Sequence, residues 1–175
     1  NVLTQLKPER IEDLIAVTAL YRPGPMDSIP AYIDCRHNPS HIRYKHPLLK
    51  EILGVTSGCI IYQEQVMQIF RTLAGYSLGR ADIVRRAMSK KKLAVMESER
   101  EIFIHGLTDD DGNIIVEGCI RRGVDEKTAI SVYDEMESFA LYAFNKSHAA
   151  AYANISYKTA WLKCHSPREY MAAQH

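Results

Sequence analysis

In the stretch QEQVMQIFRTLAGY (63–76), apolar side chains fall at Val66, Ile69, Phe70 and Leu73, and a glycine follows soon after the last of them. Spacings of three and four put all four on one face of an α-helix, whereas a strand would divide them between two faces. The same pattern recurs through most of the chain. Over KPERIEDLIAVTALY it runs through Ile11, Leu14, Ile15 and Thr18, with Pro8 suited to a first helical turn. RPGP at 22–25 must stop that helix, since two prolines and a glycine cannot continue it. Shorter helices are expected over Ile29 to Cys35 and over His46 to Leu53, the latter closed by Gly54. The apolar run GCIIY (58–62) suits either a strand or a buried lead-in.

Ser77 or Gly79 can start the next helix, through SLGRADIVRRAMSKKK, and 93–106 reads as a charged helix with a stripe at Met96, Ile102 and Phe103. Further helices are expected over 125–140, over 147–164 and after Pro167. The exception is TDDDGNIIV, whose Asp111-Gly112 pair suits a hairpin turn. The expected fold is therefore a single all-α domain over 1–175, with one short β-hairpin near 107–117.

A chain of 175 residues, 46% hydrophobic and 25% charged, can bury one sizeable core. No run approaches the roughly 18 apolar residues of a membrane span, and no signal peptide is visible. The cysteines at 35, 59, 119 and 164 are scattered without a CxxC pair, which favours reduced thiols and a cytoplasmic setting. The first residue is Asn1 and the closing EYMAAQH resembles an interrupted helix, so a piece of a longer protein is expected.

Two polar constellations stand out. Ala81, Val84, Ala87 and Met88 form an apolar stripe, while Arg85, Arg86, Ser89, Lys90 and Lys92 occupy the other arc; Lys90 to Lys92, with Arg85 and Arg86 before them, make a dense basic cluster with Asp82 as the one nearby acid. A solvated face is one explanation. The other is a polyanion, because such a cluster repels itself unless negative charge lies between, and arginines suit bidentate phosphate contact. The second constellation, Asn145, Lys146, Ser147 and His148, stands at the head of an alanine-rich helix. Ser147 is a credible N-cap. A helix N-terminus also favours phosphate, with Lys146 adding a cation and His148 a donor. The segment lacks the glycines of a Walker A loop, and capping and anion binding both remain open.

Metal chemistry is not expected. Cys35, His37, His41 and His46 match no closed zinc spacing, and DDDGN would put Leu107 at the first ligand position of a calcium loop. Tyr21, Tyr62, Tyr76 and Tyr152 are expected as core residues with a wetted hydroxyl, although one could stack on a base.

ALYRPGPM, IIYQEQVMQI, LAGYSLGRADIVRRAMSKKK and FNKSHAAAYANISYKTAWLK, in that order, resemble the alpha subunit of bacterial DNA polymerase III, the C-family replicative polymerases, in their DnaE-type branch. The resemblance covers nearly the whole chain apart from 107–117, and what it matches is the fingers domain. It implies template-directed DNA synthesis with two magnesium ions held by aspartates of an upstream palm, so no catalytic residue and no cofactor is expected in this piece. It implies that Arg85 and Arg86 lie near the incoming triphosphate and that Asn145 to His148 face the nascent base pair. Lys90, Lys91 and Lys92, and more weakly Tyr21 and Arg22, are implied as nucleic-acid contacts; the alternative for the YRPGP turn is that it only shapes the join to the palm. The implied partners are dNTP, primer-template DNA, the palm of the same chain and, through absent regions, other replicase subunits such as the sliding clamp. Two further classes remain: a non-catalytic helical module that binds nucleic acid by charge alone, and a scaffold that binds neither.

Overall fold

The computed structural model describes residues 2–90, 92–140 and 142–174. Among these residues the chain forms ten α-helices and one two-stranded antiparallel sheet. The helices are α1 (Val2–Leu6), α2 (Ile11–Leu20), α3 (Ile29–His37), α4 (Leu49–Leu53), α5 (Gln63–Ala74), α6 (Leu78–Ser89), α7 (Leu93–His105), α8 (Glu126–Ala140), α9 (Lys146–His165) and α10 (Pro167–Ala172). The strands β1 (Leu107–Thr108) and β2 (Ile114–Val116) make the expected hairpin. Gly112 turns at φ +83°, and the Asp109 carboxylate takes the N–H groups of Asp111 and Asn113. The fold is mainly helical.

Two apolar clusters hold the helices together. The larger packs α4 to α8 around Val66, Ile69, Phe70 and Leu73, all with no exposed surface, together with Phe103, Tyr133 and Met136. The Phe70 ring meets Phe103 edge-on at 5.3 Å and Tyr76 at 5.0 Å. The smaller cluster joins α1, α2, α3 and the first turns of α9 through Leu6, Leu20, Tyr32, Ala149 and Ala153. The small side chains at 149 and 153 let α9 lie close against α2. Between the clusters runs the segment 60–62: Ile60 belongs to the first, Ile61 and Tyr62 to the second. GCIIY is thus a buried lead-in rather than a sheet strand, with one isolated parallel bridge from Tyr62 to Phe144.

Three local expectations are corrected. Pro8 lies outside α2, which begins at Ile11. The Asp13 carboxylate fixes that start by accepting the N–H groups of Glu9 at 3.0 Å and Arg10 at 3.2 Å. The segment from 46 becomes helical only at Leu49, and Gly54 keeps right-handed geometry because the chain tightens into a 3-10 turn. The left-handed residues that end it are Ser57 and Gly58, where the Gly58 N–H returns to the Leu53 carbonyl at 2.9 Å. Ser147 does not cap α9. Asn145 does, as described below.

Asp13 is the buried charge of the smaller cluster. Burial works against its ionisation. The Arg36 guanidinium, with Nε 2.8 Å from Oδ1, and the two backbone donors outweigh burial and hold its pKa below the usual value. A depressed carboxylate contributes stability above its unfolded pKa, near 3.9, and loses it as pH falls through the folded value. Thermal unfolding followed by circular dichroism should therefore show stability declining below about pH 4, with a shallower decline in Asp13→Asn. At neutral pH Asp13→Ala should cost about 3 kcal/mol, since it leaves Arg36 without its buried partner.

Candidate functional site

The two polar constellations come together at the N-terminal end of α5. The Phe144 N–H donates to the Ile61 carbonyl at 3.1 Å, and the Gln63 N–H donates to the Phe144 carbonyl at 3.1 Å. These bonds set the start of α9 beside the start of α5. From the other side, Arg85 of α6 donates Nη1 to the Gln63 side-chain oxygen at 3.0 Å. Gln63 therefore links the arginine pair to the residue that precedes Asn145.

The arginines differ in what they leave available. Arg85 holds Asp82 through Nε at 3.0 Å and Nη2 at 2.8 Å, and its side chain is only 16% exposed. Arg86 also pairs with Asp82, at 2.6 Å, but is 66% exposed. The Arg85 hydrogen bonds, followed by the charges of both arginines, hold the Asp82 carboxyl below its usual pKa. Asp82 thus shares its charge between two cations. Arg85 is held by Asp82 and Gln63, and Arg86 stands largely in solvent. Lys90 and Lys92 are exposed at the far end of α6, and Lys92 precedes α7. Lys91 lies outside the described residues.

At the head of α9, Asn145 is extended (φ −68°, ψ 121°) and its side-chain oxygen accepts the His148 N–H at 3.0 Å. Phe144 is pinned in its bridge to 61–63, so helical geometry begins directly after Asn145 and Ser147 falls inside the first turn. The Lys146 N–H donates to both oxygens of Glu64, at 3.3 and 3.2 Å. The Ala149 N–H returns to the Asn145 carbonyl. Most of the backbone donors at this helix mouth are therefore taken within the protein, which favours the capping explanation for the backbone. The Lys146 ammonium sits 5.6 Å from the centroid of the Tyr62 ring. Among the described residues no carboxylate pairs with the side chains of Lys90, Lys92 or Lys146. The exposed His148 ring packs between Phe144 at 5.2 Å and Tyr152 at 4.7 Å.

Glu64 and Gln63 escaped the sequence reading. Each acts on a residue about 20 or 80 positions away, and neither spacing leaves a local pattern. Tyr62 and Tyr76 are buried, as expected, but Tyr21 and Tyr152 are more than half exposed. Arg22 is half-buried and occupied by protein acceptors: Nε donates to the Ala19 carbonyl at 2.9 Å, and Nη2 to the Tyr142 carbonyl. The histidines also have local partners: His37 meets the Leu6 carbonyl at 2.7 Å, His41 meets Asp34 at 2.9 Å, and His46 accepts the Leu48 N–H at 3.2 Å. No group of three His, Cys, Asp or Glu among the described residues is placed to hold a metal.

Comparison with known proteins decides the family. The model of the bacterial DNA polymerase III alpha subunit finger domain matches residues 1–111. The chain belongs to that family. The finger-domain match ends before Asn145, but similarity to whole relatives continues through it. DNA polymerase III subunit alpha of Treponema pallidum (strain Nichols) is 48% identical over 173 residues, 99% of this chain and 14% of the relative. The subunit of Rickettsia bellii (strain RML369-C) is 50% identical over the same length, again 99% and 14%. That of Staphylococcus aureus (strain N315) is 49% identical over 172 residues, 98% of this chain and 15% of the relative. The chain thus spans about a seventh of the length of these relatives. Among the described residues no helix is long and apolar enough to cross a membrane.

The two candidate caps of α9 are separable by mutation. Asn145→Ala should destabilise the protein by about 0.5–2 kcal/mol, the usual loss for an N-cap, whereas Ser147→Ala should fall within about 0.5 kcal/mol of the parent. Urea unfolding of the two variants measures the difference.

Proposed function

We propose that this finger domain positions the incoming nucleotide for a template-directed DNA polymerase. The observation that carries the proposal is the linkage through Gln63, which sets the Arg85–Arg86 pair and the Asn145–His148 corner at one end of α5. A nucleoside triphosphate presents several negative charges beside a flat base, and this end of the domain offers both kinds of partner. Arg86 extends a guanidinium suited to two phosphate oxygens. Lys146 brings a mobile point charge with no carboxylate partner among the described residues. His148, exposed and held between the rings of Phe144 and Tyr152, adds an imidazole two residues after Lys146. Arg85 and Asn145 hold these groups in place.

Electrostatic stabilisation of this kind acts most strongly when the donors are already oriented, because no reorganisation is needed as charge shifts toward the leaving pyrophosphate. Magnesium bound at the active site of such a polymerase would stabilise the attacking and leaving oxygens and neutralise phosphate charge. The described residues bring no suitable acidic cluster together, so its ligands would belong to a palm elsewhere in the full-length chain. Primer-template DNA and that palm are the other partners the proposal requires. Lys90 and Lys92 would meet the nucleic-acid backbone rather than the triphosphate.

Single-nucleotide incorporation by the full-length polymerase tests this proposal. Lys146→Ala and Arg86→Ala should each lower kcat/KM for dNTP by about 10- to 1,000-fold, as expected for loss of a charge-assisted contact that strengthens in the transition state. The Kd for primer-template should change little. Lys92→Ala should instead weaken DNA binding modestly, an effect that shrinks as salt rises. Normal nucleotide kinetics in both Lys146→Ala and Arg86→Ala, at unchanged melting temperature, would show that the corner is only a capped helix start.

A further inference from the structure

The 21–25 turn lies outside the cluster of phosphate-facing groups, yet it is tied to the segment that carries them. Arg22 performs three tasks with one planar group. Its Nε satisfies the Ala19 carbonyl in the last turn of α2, a position where a helix otherwise leaves carbonyls without partners. Its Nη2 donates to the Tyr142 carbonyl, 120 residues later in the chain. Its Cζ lies 4.4 Å from the centroid of the Phe144 ring. Two residues on, Gly24 has φ +99°, and a Cβ built there would stand 2.6 Å from Cε1 of Tyr142. Glycine lets the turn lie directly against the tyrosine, and a side chain would push the two apart.

The contacts continue into the corner. Phe144 is the bridge residue to 61–63, its ring lies 5.2 Å from that of His148, and the next residue is the helix cap Asn145. Arg22 is thus one ring away from His148 and one residue away from the cap.

We propose that Arg22 and Gly24 are positioning residues: they latch the 142–145 connection to the end of α2 and so fix, through Phe144, where Asn145 and His148 stand. The kinetic consequence rests on the nucleotide-positioning function proposed above; the latch itself does not. The chemistry requires arginine. A guanidinium can donate along two edges while its face lies over a ring, whereas the ammonium of lysine keeps the charge but cannot satisfy all three contacts. A contact to a single phosphate oxygen, by contrast, would largely tolerate lysine.

The test uses Arg22→Lys and Arg22→Ala in the full-length polymerase, with two readouts. In hydrogen exchange, both variants should speed exchange of the 144–149 amides by about tenfold or more while leaving α5 and α6 protected, the pattern of a local opening. In single-nucleotide incorporation, both should lower kcat by about 10- to 100-fold, the scale of loss for a misplaced reacting group, with a smaller change in KM. The primer-template Kd and its salt slope should stay at the parent values. Arg22→Lys with parental exchange and parental kcat would overturn the latch. So would weaker DNA binding with a reduced salt slope, which marks a phosphate contact, or loss of protection across all helices, which marks a general defect in folding. If Lys146→Ala and Arg86→Ala leave nucleotide use intact, the functional proposal fails while the exchange result still decides the latch. If those two impair nucleotide use and Arg22→Lys behaves as the parent, only the latch fails.

Discussion

Two backbone hydrogen bonds, from Phe144 to Ile61 and from Gln63 to Phe144, determine the rest of this surface. They join segments far apart in the chain, 61–63 and 144, at the seam between two hydrophobic clusters. Because Ile60 faces one cluster while Ile61 and Tyr62 face the other, the bridge cannot slip without moving an apolar side chain out of its core. The start of α9 is consequently fixed to the start of α5, and every polar group at the corner takes its position from that join. Glu64 then meets the Lys146 N–H, Gln63 meets Arg85, and Phe144 offers its ring to Arg22 and His148.

This arrangement separates groups that hold from groups that reach. Arg85, Asp82, Gln63, Glu64 and Asn145 use their hydrogen-bonding capacity on one another or on the backbone. Arg86 and Lys146 extend from that frame as cations, while the His148 ring rests between Phe144 and Tyr152. A site for a polyanion gains from the division: supporting residues limit the freedom of the contacting ones, so less conformational entropy is lost on binding. It also explains how adjacent arginines on one helix can differ so much in exposure, since Arg85 reaches Gln63 and Arg86 stands about 100° further around the helix.

Helix identity was legible wherever the apolar pattern was long and the stop was chemical. α5 buries Val66, Ile69, Phe70 and Leu73 at three- and four-residue spacings and has a left-handed Gly75 at its end. The hairpin was legible from Asp111-Gly112. α1 was not, because VLTQL spans barely one turn and is held by packing Leu6 into the smaller cluster. The cap of α9 was misplaced for a definite reason: Asn145 and Ser147 are both good caps, and the choice between them is made by the tertiary bridge at Phe144. Likewise, the arginine pair and the Asn145–His148 run were visible as chemistry, but what joins them, Gln63 and Glu64, acts across distances that no local pattern records.

In the proposed site, Arg86 and Lys146 would face one triphosphate across the start of α5. A crystal structure of the full-length polymerase with primer-template and an unreactive nucleotide analogue tests it most directly. The account predicts the Lys146 ammonium and the Arg86 guanidinium within about 3.2 Å of triphosphate oxygens, with Gln63 still bridging Arg85 to Phe144. A triphosphate bound away from this corner, with both cations in solvent, would contradict it.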